Sequence, residues 1–95
     1  MEETMKVENM TSARGNKIAN QFIIDDGIVK VFQSYDSVIV KKYFSDEKWE
    51  VYLDENMWNC SVTTSKYRNQ FLGENKAETQ RKIDAGIYEL ADLNS

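Results

Sequence analysis

The spacing of apolar residues changes near residue 60, dividing the chain into a strand-forming part and a helix-forming part. Gln21-Phe22-Ile23-Ile24 and Ile28-Val29-Lys30-Val31-Phe32 are β-branched and aromatic runs joined by Asp25-Asp26-Gly27. They read as a hairpin in which Gly27 supplies the positive φ of the turn. Ser37 to Tyr43 forms a third run, and Ser45-Asp46-Glu47 turns it into a fourth. There Trp49, Val51 and Leu53 alternate with Lys48, Glu50 and Tyr52. A period of two marks a strand with one buried face, which predicts Trp49, Val51 and Leu53 in the core. Short turns between successive strands imply an antiparallel meander.

Beyond residue 60 the period lengthens. Tyr67, Phe71 and Leu72 sit at helical spacing from about Thr64 to Leu72, with Gly73 placed to cap the C-terminus and the hydroxyls of Ser61, Thr63 and Thr64 upstream. Asn75 and Glu78 form a capping-box-like pair that opens a second helix, which Gly86 ends. Ile83 is its only large apolar residue, so this helix belongs at the periphery. Ile87-Tyr88-Glu89-Leu90-Ala91 can return as an edge strand. The first nine residues are polar and lack an apolar period. The expected organisation is a flexible tail over residues 1–9 and a single α+β domain over residues 10–95. That domain is expected to be an antiparallel sheet of four or five strands with two C-terminal helices.

Composition narrows the function classes. Ninety-five residues give room for one core, and 12% aromatics can fill it without a metal or disulfide. Cys60 is the only cysteine, which rules out an intramolecular disulfide. No apolar run approaches the roughly 18 residues of a membrane span, and the N-terminus lacks the order of a signal peptide. A cytoplasmic location with no membrane partner is expected. The net charge of −4 argues against a bulk electrostatic grip on nucleic acid. Two windows depart from that average. Residues 9–24 carry Arg14 and Lys17 without an acid, and residues 56–73 carry Lys66 and Arg68 without an acid.

Catalytic constellations are sparse. The chain has no histidine, so Ser-His and Cys-His pairs are absent and zinc lacks its commonest ligand. Asp25-Asp26 and Asp46-Glu47 are adjacent carboxylates whose place in turns accounts for them. Cys60 reads as a small buried hydrophobe. Neither an enzyme nor a cofactor or metal site is expected.

Phe32-Gln33-Ser34-Tyr35-Asp36-Ser37-Val38-Ile39-Val40, followed by Trp58-Asn59-Cys60-Ser61-Val62-Thr63-Thr64-Ser65-Lys66-Tyr67, resembles a family of small proteins from tailed-phage genomes. Its members pair a Ser-Tyr-x-Thr/Ser-x-Ile-Ala strand with a downstream Tyr-Ser-x-Thr-Thr-x-Lys-His/Tyr segment. Thr11 to Lys17 is similar to longer members, so the resemblance spans about residues 10–93. Cys60 stands where the family often has Tyr, and Val40 where it often has Ala. The family is one of unknown function, so the resemblance implies a phage origin and a host-cell setting but no activity.

The candidate binding residues each have a plain reading beside a functional one. Tyr35 is either a half-buried turn residue or an aromatic that stacks on a base or fills a partner's pocket. Ser61, Thr63 and Thr64 either cap a helix or, with Lys66, hold an anion at its N-terminus. Arg14-Gly15-Asn16-Lys17 lacks the Walker spacing and reads first as a turn. The phage resemblance, the lack of catalytic groups and a compact acidic domain with aromatics to spare suggest non-enzymatic binding of a host protein, such as a defence or gene-expression factor that the phage protein inhibits. The competing reading is binding of nucleic acid or a phosphate ligand through Arg14, Lys17, Lys66 and Arg68, interleaved with Tyr67. Strand parity predicts that Arg14 or Lys17 lies close to Ser61, Thr64 or Lys66. Oligomeric state is left open.

Overall fold

The computed structural model describes residues 5–94. Its elements are β1 (Lys6–Thr11), β2 (Lys17–Asp25), β3 (Val29–Ser34), β4 (Ser37–Ser45), β5 (Lys48–Asp54), α1 (Val62–Leu72), α2 (Lys76–Asp84) and β6 (Tyr88–Ala91). The six strands lie in one sheet in chain order. All neighbours are antiparallel except β5 and β6, which are parallel. A parallel neighbour needs a long crossover, and α1 and α2 supply it.

The α+β class and the two helices agree with the expectation, whereas the sheet has six strands and not four or five. The additional strand is β1, in the segment expected to be a tail. Lys6, Val7, Glu8 and Asn9 pair with Asp25, Ile24, Ile23 and Phe22. Of this edge strand only Met10 is buried, so its sequence carries no apolar period to betray it. Residues 1–4 of the expected tail lie outside the described residues.

The turns follow their residues. At the β2–β3 hairpin the Asp26 carboxylate accepts from the N–H groups of Ile28 and Val29, and Gly27 takes φ 95°. Those bonds hold the Asp26 pKa below its ordinary value. Ser61 caps α1 by accepting from Thr64 N–H, Gly73 ends it in the left-handed region, and Asn75 caps α2 by accepting from Glu78 N–H.

The core forms where the helices cover one face of the sheet. Phe32, Val40 and Leu53 are fully buried register partners across β3, β4 and β5, and Phe71 of α1 stacks on Phe32 with centroids 5.9 Å apart. Val51 and Leu53 are buried as expected. Trp49 is not: it is 44% exposed, at the start of β5 beside the hairpin turn, where it meets Phe44 edge-on at 5.2 Å. The alternation is right, but the strand runs past the helical cover.

Candidate functional site

Three chain segments meet at one end of the sheet: the β1–β2 turn, the β3–β4 turn and the exit of β5. The expected parity holds because β1 joins β2 through a hairpin at that same end. From the β5 exit, α1 crosses toward the first hairpin. Thr64 shares a buried hydrogen bond with Ser34 at 3.0 Å, and the Gln70 side chain donates to the Thr11 carbonyl at 2.9 Å. The two acid-free windows therefore touch, at Gln70 and Thr11.

That contact runs through Gln70 and Thr11 and not through the side chains of the expected rim. Arg14 and Lys17 are exposed on a turn ordered by Ser12, whose hydroxyl accepts from Arg14 N–H and Asn16 N–H. Among the described residues no hydrogen bond or ion pair joins Arg14 or Lys17 to Ser61, Thr64 or Lys66. Thr64, Tyr67 and Arg68 are withdrawn into the interior at 4%, 7% and 0% exposure. Arg68 donates to the Trp58 carbonyl at 2.6 Å and the Asn69 side chain at 2.8 Å, and its guanidinium lies 5.2 Å from the Trp58 ring. Burial lowers its pKa, with Glu74 pulling the other way. These contacts make it a brace for the segment between β5 and α1, held through both terminal nitrogens while the buried Nε has no hydrogen-bond partner among the described residues.

Ser61, Thr63 and Lys66 stay exposed. Ser61 and Lys66 line an open groove of about 770 Å³ with Lys76 and Cys60. Cys60 is exposed, against the expectation of a buried thiol. It directly precedes the Ser61 cap, on the wall of that open groove. Tyr35 is 58% exposed rather than half-buried, with φ 56°, and its hydroxyl has no protein hydrogen bond among the described residues.

A larger surface went unrecognised in the sequence. The face of the sheet opposite the helices carries Val7, Ile24, Val31, Lys41, Tyr52 and Glu89 as one row of register partners across all six strands. Phe22, Val29 and Tyr43 flank it, and none of these side chains belongs to the helix-covered core. Tyr43 and Tyr52 pack edge to face at 5.8 Å, and Lys41 Nζ lies 5.4 Å from the Tyr43 ring. Lys41 and Tyr43 form a ridge shared by two hollows of about 250 and 330 Å³. Asp26, Glu50 and Glu89 edge this surface, interrupted by Lys48. Nearby carboxylates, Glu50 foremost, raise the Tyr52 pKa. The signal was there in Phe22-Ile23-Ile24, where consecutive apolar residues place apolar groups on both faces.

Among the described residues no helix is long and apolar enough to cross a membrane, and no three His, Cys, Asp or Glu side chains cluster as metal ligands. Fold and surface define a class: a small α+β protein with helices on one face of its sheet and partly exposed apolar residues on the helix-free face. The chain belongs to a family of unknown function, DUF8033, whose pattern matches residues 5–86, from the start of β1 to just past α2. No curated protein and no solved structure matches it.

Proposed function

We propose that this is a small phage accessory protein that binds a host protein without catalysis, and that the uncovered sheet face is the contact surface. The observation that carries the reading is the row from Val7 to Tyr52. An antiparallel sheet with one wet face alternates apolar with polar residues, whereas β2, β3 and β4 place apolar groups on both faces. A contiguous patch of this kind marks an interaction site, and tyrosines with a polar rim match the anatomy of a protein interface. The acidic edge fits a partner whose apolar centre is ringed by basic side chains. The phage and host parts of the proposal rest on the resemblance of the Ser34-Tyr35 and Ser61 to Tyr67 segments. Nucleic-acid binding through the two windows has less to stand on, because Thr64, Tyr67 and Arg68 are interior.

The test compares capture of host proteins by the wild type, Val31→Glu, Tyr43→Glu and a Lys76→Glu control, with circular dichroism to verify folding. Loss of the same captured protein in the first two variants and its retention in the control is the expected result. Retention in all three moves the contact off this face. Sedimentation equilibrium runs alongside, because a dimer abolished by Val31→Glu assigns the face to a second copy instead.

A further inference from the structure

The helix-covered face gathers charge toward the end of the sheet that carries the β2–β3 and β4–β5 turns. Lys6, Asp25, Lys30 and Lys42 are successive register partners across β1 to β4, so four residues distant in sequence form one row with three ammonium groups and one carboxylate. Lys30 Nζ lies 3.9 Å from the Asp25 carboxylate. The Lys42 side chain has no hydrogen bond or ion pair among the described residues. Its ammonium stands 4.9 Å from the Trp49 ring centroid and 5.4 Å from that of Phe71. Lys30 Nζ reaches within 5.9 Å of the same Trp49 ring, so two cations directly opposite on adjacent strands converge on one indole.

Like charges in direct cross-strand register destabilise a sheet. Burial and the charge of Lys30 both lower the Lys42 pKa, and Glu74 offsets them only in part. Glu74 is itself engaged by Lys82, Tyr88 and Thr79. Packing of the Lys42 stem beside Phe71 accounts for its methylenes. It does not account for a second lysine placed against the first.

We propose that Lys30 and Lys42 form a binding site for a phosphate monoester whose organic part carries an aromatic ring, seated beside the exposed Trp49 and Phe44. A monoester carries a charge of about −1.5 to −2 at neutral pH, which matches two ammonium groups, whereas a single carboxylate leaves one uncompensated. Trp49 and Phe44, 44% and 48% exposed, supply an apolar ledge next to the cations. A nucleoside monophosphate is the simplest ligand of this class. The site lies on the face opposite the proposed partner surface, so either can fail without the other.

The experiment titrates the full chain by calorimetry with AMP, ribose 5-phosphate, inorganic phosphate and oligoadenylates of increasing length, at low and moderate salt. Variants are Lys30→Gln, Lys42→Met and Lys66→Gln. AMP is expected to bind saturably, tighter than ribose 5-phosphate, with the loss in Lys30→Gln and Lys42→Met about tenfold or more and Lys66→Gln unchanged. Lys42→Met should also raise the unliganded Tm while losing the further rise that AMP gives the wild type. No saturable binding of AMP at millimolar concentration overturns the proposal. So does AMP binding that Lys30→Gln, a change at a half-exposed side chain, leaves intact. Equal affinity for inorganic phosphate removes the aromatic part of the ligand, and affinity that climbs with oligonucleotide length reassigns the row to nucleic acid.

Discussion

Tyr35 N–H donates to the Asn20 carbonyl at 2.6 Å, and both residues hold the left-handed backbone conformation with φ of 56° and 65°. Neither is glycine, and the conformation costs an L-residue roughly 1–2 kcal/mol. The bond ties the β3–β4 turn to the irregular stretch of β2 opposite β1. Tyr35→Gly is therefore expected to stabilise the fold by about 0.5–1 kcal/mol, and Tyr35→Val to destabilise it. Urea denaturation midpoints decide this. A less stable Tyr35→Gly means that the ring packs more than its exposure implies.

Position along β5 sets how much each apolar side chain contributes. Leu53→Ala is expected to cost about 2–5 kcal/mol, because Leu53 is fully buried opposite Val40. Trp49→Ala should cost clearly less than Leu53→Ala despite the larger side chain. Equal losses in denaturation would contradict the exposure of the indole.

Cys60 is exposed in the segment before the Ser61 cap. Thiol reagent should label the native protein at a rate close to that of the unfolded chain. Protection of the native thiol by more than about a hundredfold, relative to denatured protein, sinks this expectation.

Acid sensitivity should trace to Glu74. Its carboxylate accepts from Lys82 at 2.7 Å, Tyr88 at 2.8 Å and Thr79 at 2.6 Å, joining α2 and β6 to the end of α1. Burial alone pushes its pKa up, but these bonds outweigh burial and hold it below the ordinary 4.5. A depressed folded pKa gives stability that is present above the unfolded value and lost as pH falls through the folded one. Between about pH 5 and pH 2 the wild type should thus lose more stability than Glu74→Gln. Parallel losses would place the acid-sensitive group elsewhere.

Asp54 fastens the end of the chain. Its buried carboxylate accepts from Asn56, Met57 and Leu93 N–H groups, while the Asn94 amide both donates to and accepts from the Val38 backbone. Asp54→Ala strands three N–H groups and should cost about 2–4 kcal/mol, with faster amide exchange at Leu93. Slow exchange at Leu93 in that variant would show that β6 holds without it.

How much of this the sequence disclosed depended on the range of the interactions. The Asp-Gly hairpin, the Ser61 and Asn75 caps and the β5 alternation are local chemistry, written in adjacent residues and legible there. β1 was not legible, since an edge strand with one buried side chain takes its conformation from Asp25 to Phe22 across the hairpin. Arg68 looked like a surface cation because nothing near it in sequence announces the Trp58 carbonyl that holds it inside. Rows across the sheet are the extreme case. Lys6, Asp25, Lys30 and Lys42, or Val7, Ile24, Val31 and Tyr52, become neighbours only once register is fixed.

Strand order that equals chain order also shapes how the molecule is made. Each of β1 to β5 finds its partner in the segment just synthesised, so the meander can zip as it leaves the ribosome. Phe71 of α1, which closes over that meander, and β6, which pairs with its β5 edge, both follow it in the chain. Until then both sides of the nascent sheet are wet and its β5 edge is unpaired, the state most open to pairing with other chains. The segment from Ser61 to Ala91 thus shields, from within the same chain, the sheet that is made before it.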